Sequence, residues 1–161
     1  MFDFFKKKKQ VEVKAPATGE VVDLSRVSDP TFGQKMLGDG FAVIPSVGEI
    51  YAPVDAEVAM VFDTGHACGL KTEDGMEILI HIGIDTVQMK GQGFEPQVKV
   101  GDKVSAGTLL IKVDLDQVKE AGYDIITPVI FSNQANFKFD GPVLFGNVNH
   151  GDQILSLTKA N

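Results

Sequence analysis

At 161 residues the chain has the size of one domain and can bury a real core, and its 43% hydrophobic residues exclude a disordered polymer. Acidic residues outnumber basic ones 22 to 15, and the resulting net charge of −7 disfavours nucleic acid as a partner. The single cysteine excludes a disulfide framework and a thiolate zinc cluster, and the longest apolar run, Ile78 to Ile84, is far too short to cross a bilayer.

In chain order, the first ten residues, MFDFFKKKKQ, stand apart. Phe2 and Phe5 are three apart and four lysines follow, a pattern that suits at most a weak contact with a membrane surface. A solvated terminus is the favoured reading, because three phenylalanines bury little and ten residues nucleate helix poorly. No signal-peptide core follows the lysines, so a cytoplasmic location is expected. Residues 1–12 are set down as a flexible lysine-rich segment and residues 13–161 as the folded domain.

The remainder is rich in Val and Ile and cut by 17 glycines and 7 prolines, which is the punctuation of an all-β protein. Strands are predicted at 21–22, 41–44, 58–62, 77–84, 108–113, 127–131 and 153–158. Turns are predicted at Gly38-Asp-Gly40, Asp74-Gly75, Gly101-Asp102 and Asp140-Gly-Pro142. Only residues 116–123 read as helix, for about two turns. An antiparallel β-sandwich with a barrel-like outline follows. Ala15-Pro-Ala-Thr-Gly-Glu-Val21 is echoed by Ala52-Pro-Val-Asp-Ala-Glu-Val58, and the glycine turn at 98–107 by that at 146–151. The echo fits either an internal duplication or the common reuse of turn residues.

The chemistry-bearing stretch is 61–84. Asp74-Gly75 is a two-residue hairpin signal between apolar strands. That turn pairs Leu70 with Leu79, Cys68 with His81 and His66 with Gly83. It sends Ile78, Ile80, Ile82 and Ile84 into a core and puts Thr64, His66, Leu79, His81 and Asp85 on the other face. His66 and His81 become diagonal neighbours about 7–8 Å apart at Cα, and Gly83 is expected to leave space opposite His66. A one-residue slip would separate the two histidines, so the inference hangs on the turn.

Two adjacent imidazoles suit zinc, phosphoryl relay or simple packing, and the residues alone leave all three open. Zinc is under-coordinated within the chain, since His150 lies in a polar turn and reads as solvated; His66 and His81 would need a partner's ligand. In a relay, one neutral ring attacks phosphorus while the other donates to its oxygens, and Thr64 can fix the tautomer of His66.

The run Glu77-Ile-Leu-Ile-His-Ile-Gly-Ile-Asp-Thr-Val87 closely resembles the signature of the glucose-type enzyme IIA of the bacterial phosphoenolpyruvate:sugar phosphotransferase system. So do Asp29-Pro-Thr-Phe-Gly-Gln-Lys-Met-Leu-Gly-Asp-Gly40, Thr64-Gly-His66-Ala67 and Ile126-Thr-Pro-Val129, and the resemblance covers 13 to about 158. It implies a sandwich carrying a duplicated hybrid motif, no cofactor and no intrinsic metal. It implies that His81 is phosphorylated by the phosphohistidine carrier HPr, that His66 is the second active-site histidine, and that Thr64 bonds to it. Phosphate would then pass to a cysteine of a sugar-specific IIB domain. Phe32, Phe62, Leu79 and Val87 match an apolar docking ring, and Asp29 and Asp85 match acidic positions that meet an arginine of the carrier. Regulatory targets are also known in the family. The alternative is a lipoyl- or biotinyl-like carrier, suggested by residues 98–107, with Lys90 the nearest modifiable lysine. A zinc peptidase of related shape lacks its ligands. Thr31 and Cys68 depart mildly from the family pattern, and Cys68 reads as a small wall residue.

Overall fold

The computed structural model describes residues 10–133 and 136–159. The proposed segment 1–12 therefore lies mostly outside the described residues. Its last three residues, however, are already strand, because Val11 alternates inward and packs on the core.

Fourteen strands account for the described architecture: β1 (Gln10–Lys14), β2 (Gly19–Val22), β3 (Asp39–Pro45), β4 (Glu49–Tyr51), β5 (Ala56–Val61), β6 (Ala67–Lys71), β7 (Glu77–His81), β8 (Phe94–Pro96), β9 (Lys103–Val104), β10 (Leu109–Val113), β11 (Thr127–Phe131), β12 (Phe137–Phe139), β13 (Gly146–Val148) and β14 (Gln153–Lys159). Two short helices, α1 (Pro30–Gly33) and α2 (Leu115–Glu120), interrupt them. Every ladder is antiparallel. One eight-stranded sheet runs β13-β2-β3-β11-β7-β6-β5-β9, and two three-stranded sheets run β1-β14-β12 and β4-β10-β8. All the predicted strands are present, with 77–84 ending early at His81. The short strands β4, β8, β9, β12 and β13 were not predicted, because two or three residues show no periodicity, and neither was β1, whose first three residues were read with the lysine-rich segment. At the predicted turn 38–40, Asp39 and Gly40 instead open β3, and Gly40 lies tight against the Val129 carbonyl of β11.

The large sheet is covered on both faces. Phe41, Val43, Ile78, Ile80, Val129 and Phe131 point into the main core, shared with the two smaller sheets. From the opposite face, Ala42 and Ile130 join Leu24, Val27, Phe32 and Ile84 in a second cluster beneath α1, against which Leu79 packs. This explains the unbroken burial of β11 and places Leu79, and two residues later His81, beside α1.

The sequence echo is structural. Ala15 and Ala52 make the same pair of bonds: Ala15 N–H to Asp152 C=O with Gly151 N–H returned, and Ala52 N–H to Thr108 C=O with Gly107 N–H returned, all 2.7–3.0 Å. Thr18 Oγ1 accepts from His150 N–H (3.1 Å), as Asp55 Oδ1 accepts from Ala106 N–H (2.8 Å). The halves join reciprocally, through Lys14 N–H to Pro53 C=O and Tyr51 N–H to Pro16 C=O. A duplicated motif with matching turn chemistry satisfies the buried backbone twice by one device.

Candidate functional site

The β6–β7 hairpin carries the two histidines, in a register one residue from that expected. Lys71 faces Glu77, Leu70 faces Ile78, Cys68 faces Ile80 and Ala67 faces His81. The loop is not the two residues Asp74-Gly75 but three, closed by Thr72 N–H to Met76 C=O at 2.9 Å. Gly75 takes a left-handed conformation (φ 90°), the geometry that ends a three-residue hairpin loop. Thr72 Oγ1 accepts from Met76 N–H, and Asn133 holds both Gly75 C=O and Glu77 N–H. Cys68 consequently faces Ile80 in the main core rather than His81, and burial pushes its thiol up to about 12.

The slip does not separate the histidines, because His66 lies beyond the end of β6. Its carbonyl still accepts from Ile82 N–H (2.7 Å), and there strand alternation stops: Gly65 and Gly83 turn the chains at φ 72° and 77°. Pro128 contributes to the break. Val129 is paired with Ile80, so the residue opposite His81 is a proline, which has no N–H to extend the ladder. The imidazoles meet edge to face with centroids 4.9 Å apart.

Each ring is fixed at Nδ1. The Gly83 carbonyl stands 2.7 Å from His81 Nδ1. A carbonyl only accepts, so this nitrogen carries the proton and the neutral ring keeps its lone pair on Nε2. Thr64 Oγ1 lies 2.5 Å from His66 Nδ1. Burial, and then the neighbouring His81, lower the pKa of His66 to about 4; the side chain is 1% exposed. Burial also lowers that of the half-buried His81, against the raising influence of the Gly83 bond, Asp29 and Asp85.

Aromatic rings hold the pair. Phe32 lies 5.0 Å from His81, Phe62 5.1 Å from His66, and Phe94, which sequence reasoning missed, 6.3 Å from His66. Phe94 arrives on β8 through its pairing with β10, a placement no local pattern announces. Phe32 is only 7% exposed and belongs to the second cluster, whereas Phe62 and Leu79 are half-buried and Val87 is 48% exposed. Asp29 caps α1, its Oδ1 accepting from Thr31 N–H at 2.8 Å, with Pro30 at the first helical position. Asp85 is exposed and left-handed (φ 61°), with no side-chain bond to the turn it begins, so its charge is left for the site.

Gly83 does not leave an open space opposite His66. A Cβ there would meet Thr86 Cγ2 at 2.5 Å and Asp124 C=O at 2.7 Å, so the glycine permits close packing of the turn. His150 is not merely solvated either; its exposed ring stacks on Tyr51, 4.1 Å between centroids. Lys90 follows the turn Thr86–Met89 rather than tipping a hairpin, which disfavours the lipoyl-like alternative. Among the described residues no helix is long and apolar enough to cross a membrane.

Known proteins similar to this chain point to one family. Residues 11–137 match the family described as phosphoenolpyruvate-dependent sugar phosphotransferase system, EIIA 1. A glucose-specific EIIA component of Halalkalibacterium halodurans is 52% identical over 121 residues, covering 75% of this chain and 70% of that protein. A glucoside-specific EIICBA component of Staphylococcus carnosus is 47% identical over 144 residues; these cover 89% of this chain but only 20% of that longer protein. The solved glucose permease IIA of Mycoplasma capricolum superposes with a TM-score of 0.89 at 40% identity, over 95% of this chain and 97% of that one. With family match, relatives and fold in accord, the chain belongs to the EIIA family of the phosphoenolpyruvate-dependent sugar phosphotransferase system.

Proposed function

We propose that the chain is a phosphoryl relay for sugar uptake, in which His81 Nε2 takes a phosphoryl group from phospho-HPr and yields it to a cysteine of a sugar-specific IIB domain. The observation that carries this reading is the bond between His81 Nδ1 and the Gly83 carbonyl, which leaves the Nε2 lone pair free beside a second imidazole. In acceptance, that lone pair forms a bond to phosphorus as the donor's N–P bond breaks; no proton has to leave His81. In delivery, the cysteine thiolate forms the S–P bond and the N–P bond of residue 81 breaks.

His66 is the donor to the transferring group. With the Thr64 hydroxyl donating to its Nδ1, its proton sits on Nε2, and its low pKa keeps it neutral and uncompetitive as an acid. Positive charge gathering on the His81 ring during transfer is met by the Gly83 carbonyl, Asp29 and Asp85. The half-buried and exposed apolar residues Phe62, Leu79 and Val87, with the edge of Phe32, form the docking surface. Asp29 and Asp85 at its rim steer a basic partner. Fusion of the matched region within an EIICBA relative supports a IIB domain as acceptor.

Incubation with phosphoenolpyruvate, enzyme I and HPr tests the reading. Wild type is expected to gain one acid-labile phosphate and His81→Gln none, with an unchanged fold. Undiminished labelling of His81→Gln would overturn the assignment.

A further inference from the structure

The segment between His81 and the turn Thr86–Met89 has to hold one peptide carbonyl steady. Past the end of β7 no ladder fixes it. Ile82 donates to His66 C=O, and Ile84 donates to Asp124 C=O at 3.1 Å, but the Ile82 and Gly83 carbonyls lie outside any strand. The Gly83 carbonyl is the one that meets His81 Nδ1.

Thr86 closes this segment on itself. Its side chain is fully buried, a costly place for a hydroxyl without a partner, and its Oγ1 donates to Ile82 C=O at 2.5 Å. Its methyl group stands directly beneath Gly83, where a Cβ would lie 2.5 Å away. The hydroxyl thus pins the peptide before Gly83, and the methyl blocks Gly83 from below. The bond from the hydroxyl leaves the Gly83 carbonyl directed at the His81 ring. Asp85, between Gly83 and Thr86, takes a left-handed conformation at φ 61°.

We propose that Thr86 is a positioning residue for the phosphoryl relay, holding His81 in its Nδ1–H tautomer and ring orientation through the Ile82–Gly83 peptides. This rests on the reading of His81 as acceptor, although the tautomer itself is measurable without any phosphate donor. Thr86 touches no reacting atom; it acts through the Gly83 carbonyl. Without it that carbonyl swings, the proton is shared between the ring nitrogens, and the fraction of His81 with a free Nε2 lone pair falls.

Two variants divide the side chain. Thr86→Val keeps the methyl contact and removes the hydroxyl; Thr86→Ser keeps the hydroxyl and removes the methyl. The imidazole nitrogen shifts of His81, read by NMR across pH 5–9, report the tautomer directly. Thr86→Val is expected to move His81 from one protonated Nδ1 toward averaged ring nitrogens and to slow phosphate uptake from phospho-HPr roughly tenfold, the scale of losing an orienting partner behind a reactive imidazole. Thr86→Ser is expected to keep the wild-type nitrogen shifts and uptake within about threefold. Unchanged His81 shifts in a folded Thr86→Val protein would overturn the proposal. Should Thr86→Val not fold, Thr86→Ala read against Thr86→Ser decides: averaged ring nitrogens in Ala with wild-type shifts in Ser uphold the hydroxyl's role, and equal shifts in the two overturn it. If wild type takes up no phosphate at all, the relay reading fails while the tautomer comparison still stands.

Discussion

His66 and His81 share a side chain and differ in what their Nδ1 atoms meet, a hydroxyl in one case and a carbonyl in the other. A carbonyl dictates a tautomer; a hydroxyl permits either. From this asymmetry the relay reading takes one ring as nucleophile and the other as donor, and two results follow. His66→Gln, which keeps a donor at similar reach, is expected to accept phosphate on His81. His66→Ala is expected to transfer onward about tenfold more slowly, or 1.4 kcal/mol in barrier. That is less than the 2.7–4 kcal/mol typical of a dry oxyanion site, because His81 is only half-buried. Single-turnover transfer to a IIB domain measures it, and equal rates for Gln and Ala would remove the donor role. Stability carries a second signature. With a pKa near 4 folded and 6.5 unfolded, His66 leaves the unfolded chain binding the extra proton between these values. Wild type should therefore lose stability relative to His66→Gln as pH falls from about 6.5 to 4, and no further below. Urea titrations at pH 7, 5.5 and 4 read this, and a constant gap would contradict the burial of His66.

At the scale of the element, the hairpin shows what sequence can and cannot supply. The strands β6 and β7 and the inward row Ile78, Ile80 and Ile82 were legible, because alternation with isoleucine marks a core face. The loop length was not, since Asp74-Gly75 suits a two-residue and a three-residue turn alike. The choice was made by Thr72 and by Asn133, which arrives from beyond β11. Nor could alternation describe residues beyond the strand ends, where Gly65, Gly83 and Pro128 redirect the chain and bring His66 and His81 together. The expected pairing of the two histidines survived, but the strand register offered for it did not. Gly83→Ala tests the turn. Its methyl would enter both Thr86 and the Asp124 carbonyl in a left-handed conformation, so a loss of about 1–3 kcal/mol is expected. Phosphate uptake is expected to fall further than stability predicts, because the carbonyl behind His81 moves. Normal uptake by a destabilised Gly83→Ala protein would show that the carbonyl's position is unimportant.

For the whole molecule, the duplicated motif and the two-sided sheet explain why a shallow site can be rigid. The face of β7 bearing Leu79 and His81 is backed by a second cluster, while Ile80 behind it is wholly buried in the main core. Ile80→Ala is therefore expected to cost about 2–5 kcal/mol, seen in the urea midpoint, while leaving the site residues chemically intact. The all-β class was legible from composition and turns, and the family from motifs in the chain. The proposed partner surface was less so, because Phe32 is carried on α1 and its burial depends on how that helix closes over the sheet. The claim on which the rest depends is that His81 Nε2, and no other atom, carries the phosphoryl group. Phosphorus–nitrogen coupling in the histidine-labelled protein, recorded after incubation with phosphoenolpyruvate, enzyme I and HPr, tests it most directly. A single phosphorus coupled to Nε2 of His81 is the predicted result, and phosphate on His66, or on Nδ1 of His81, would contradict the account.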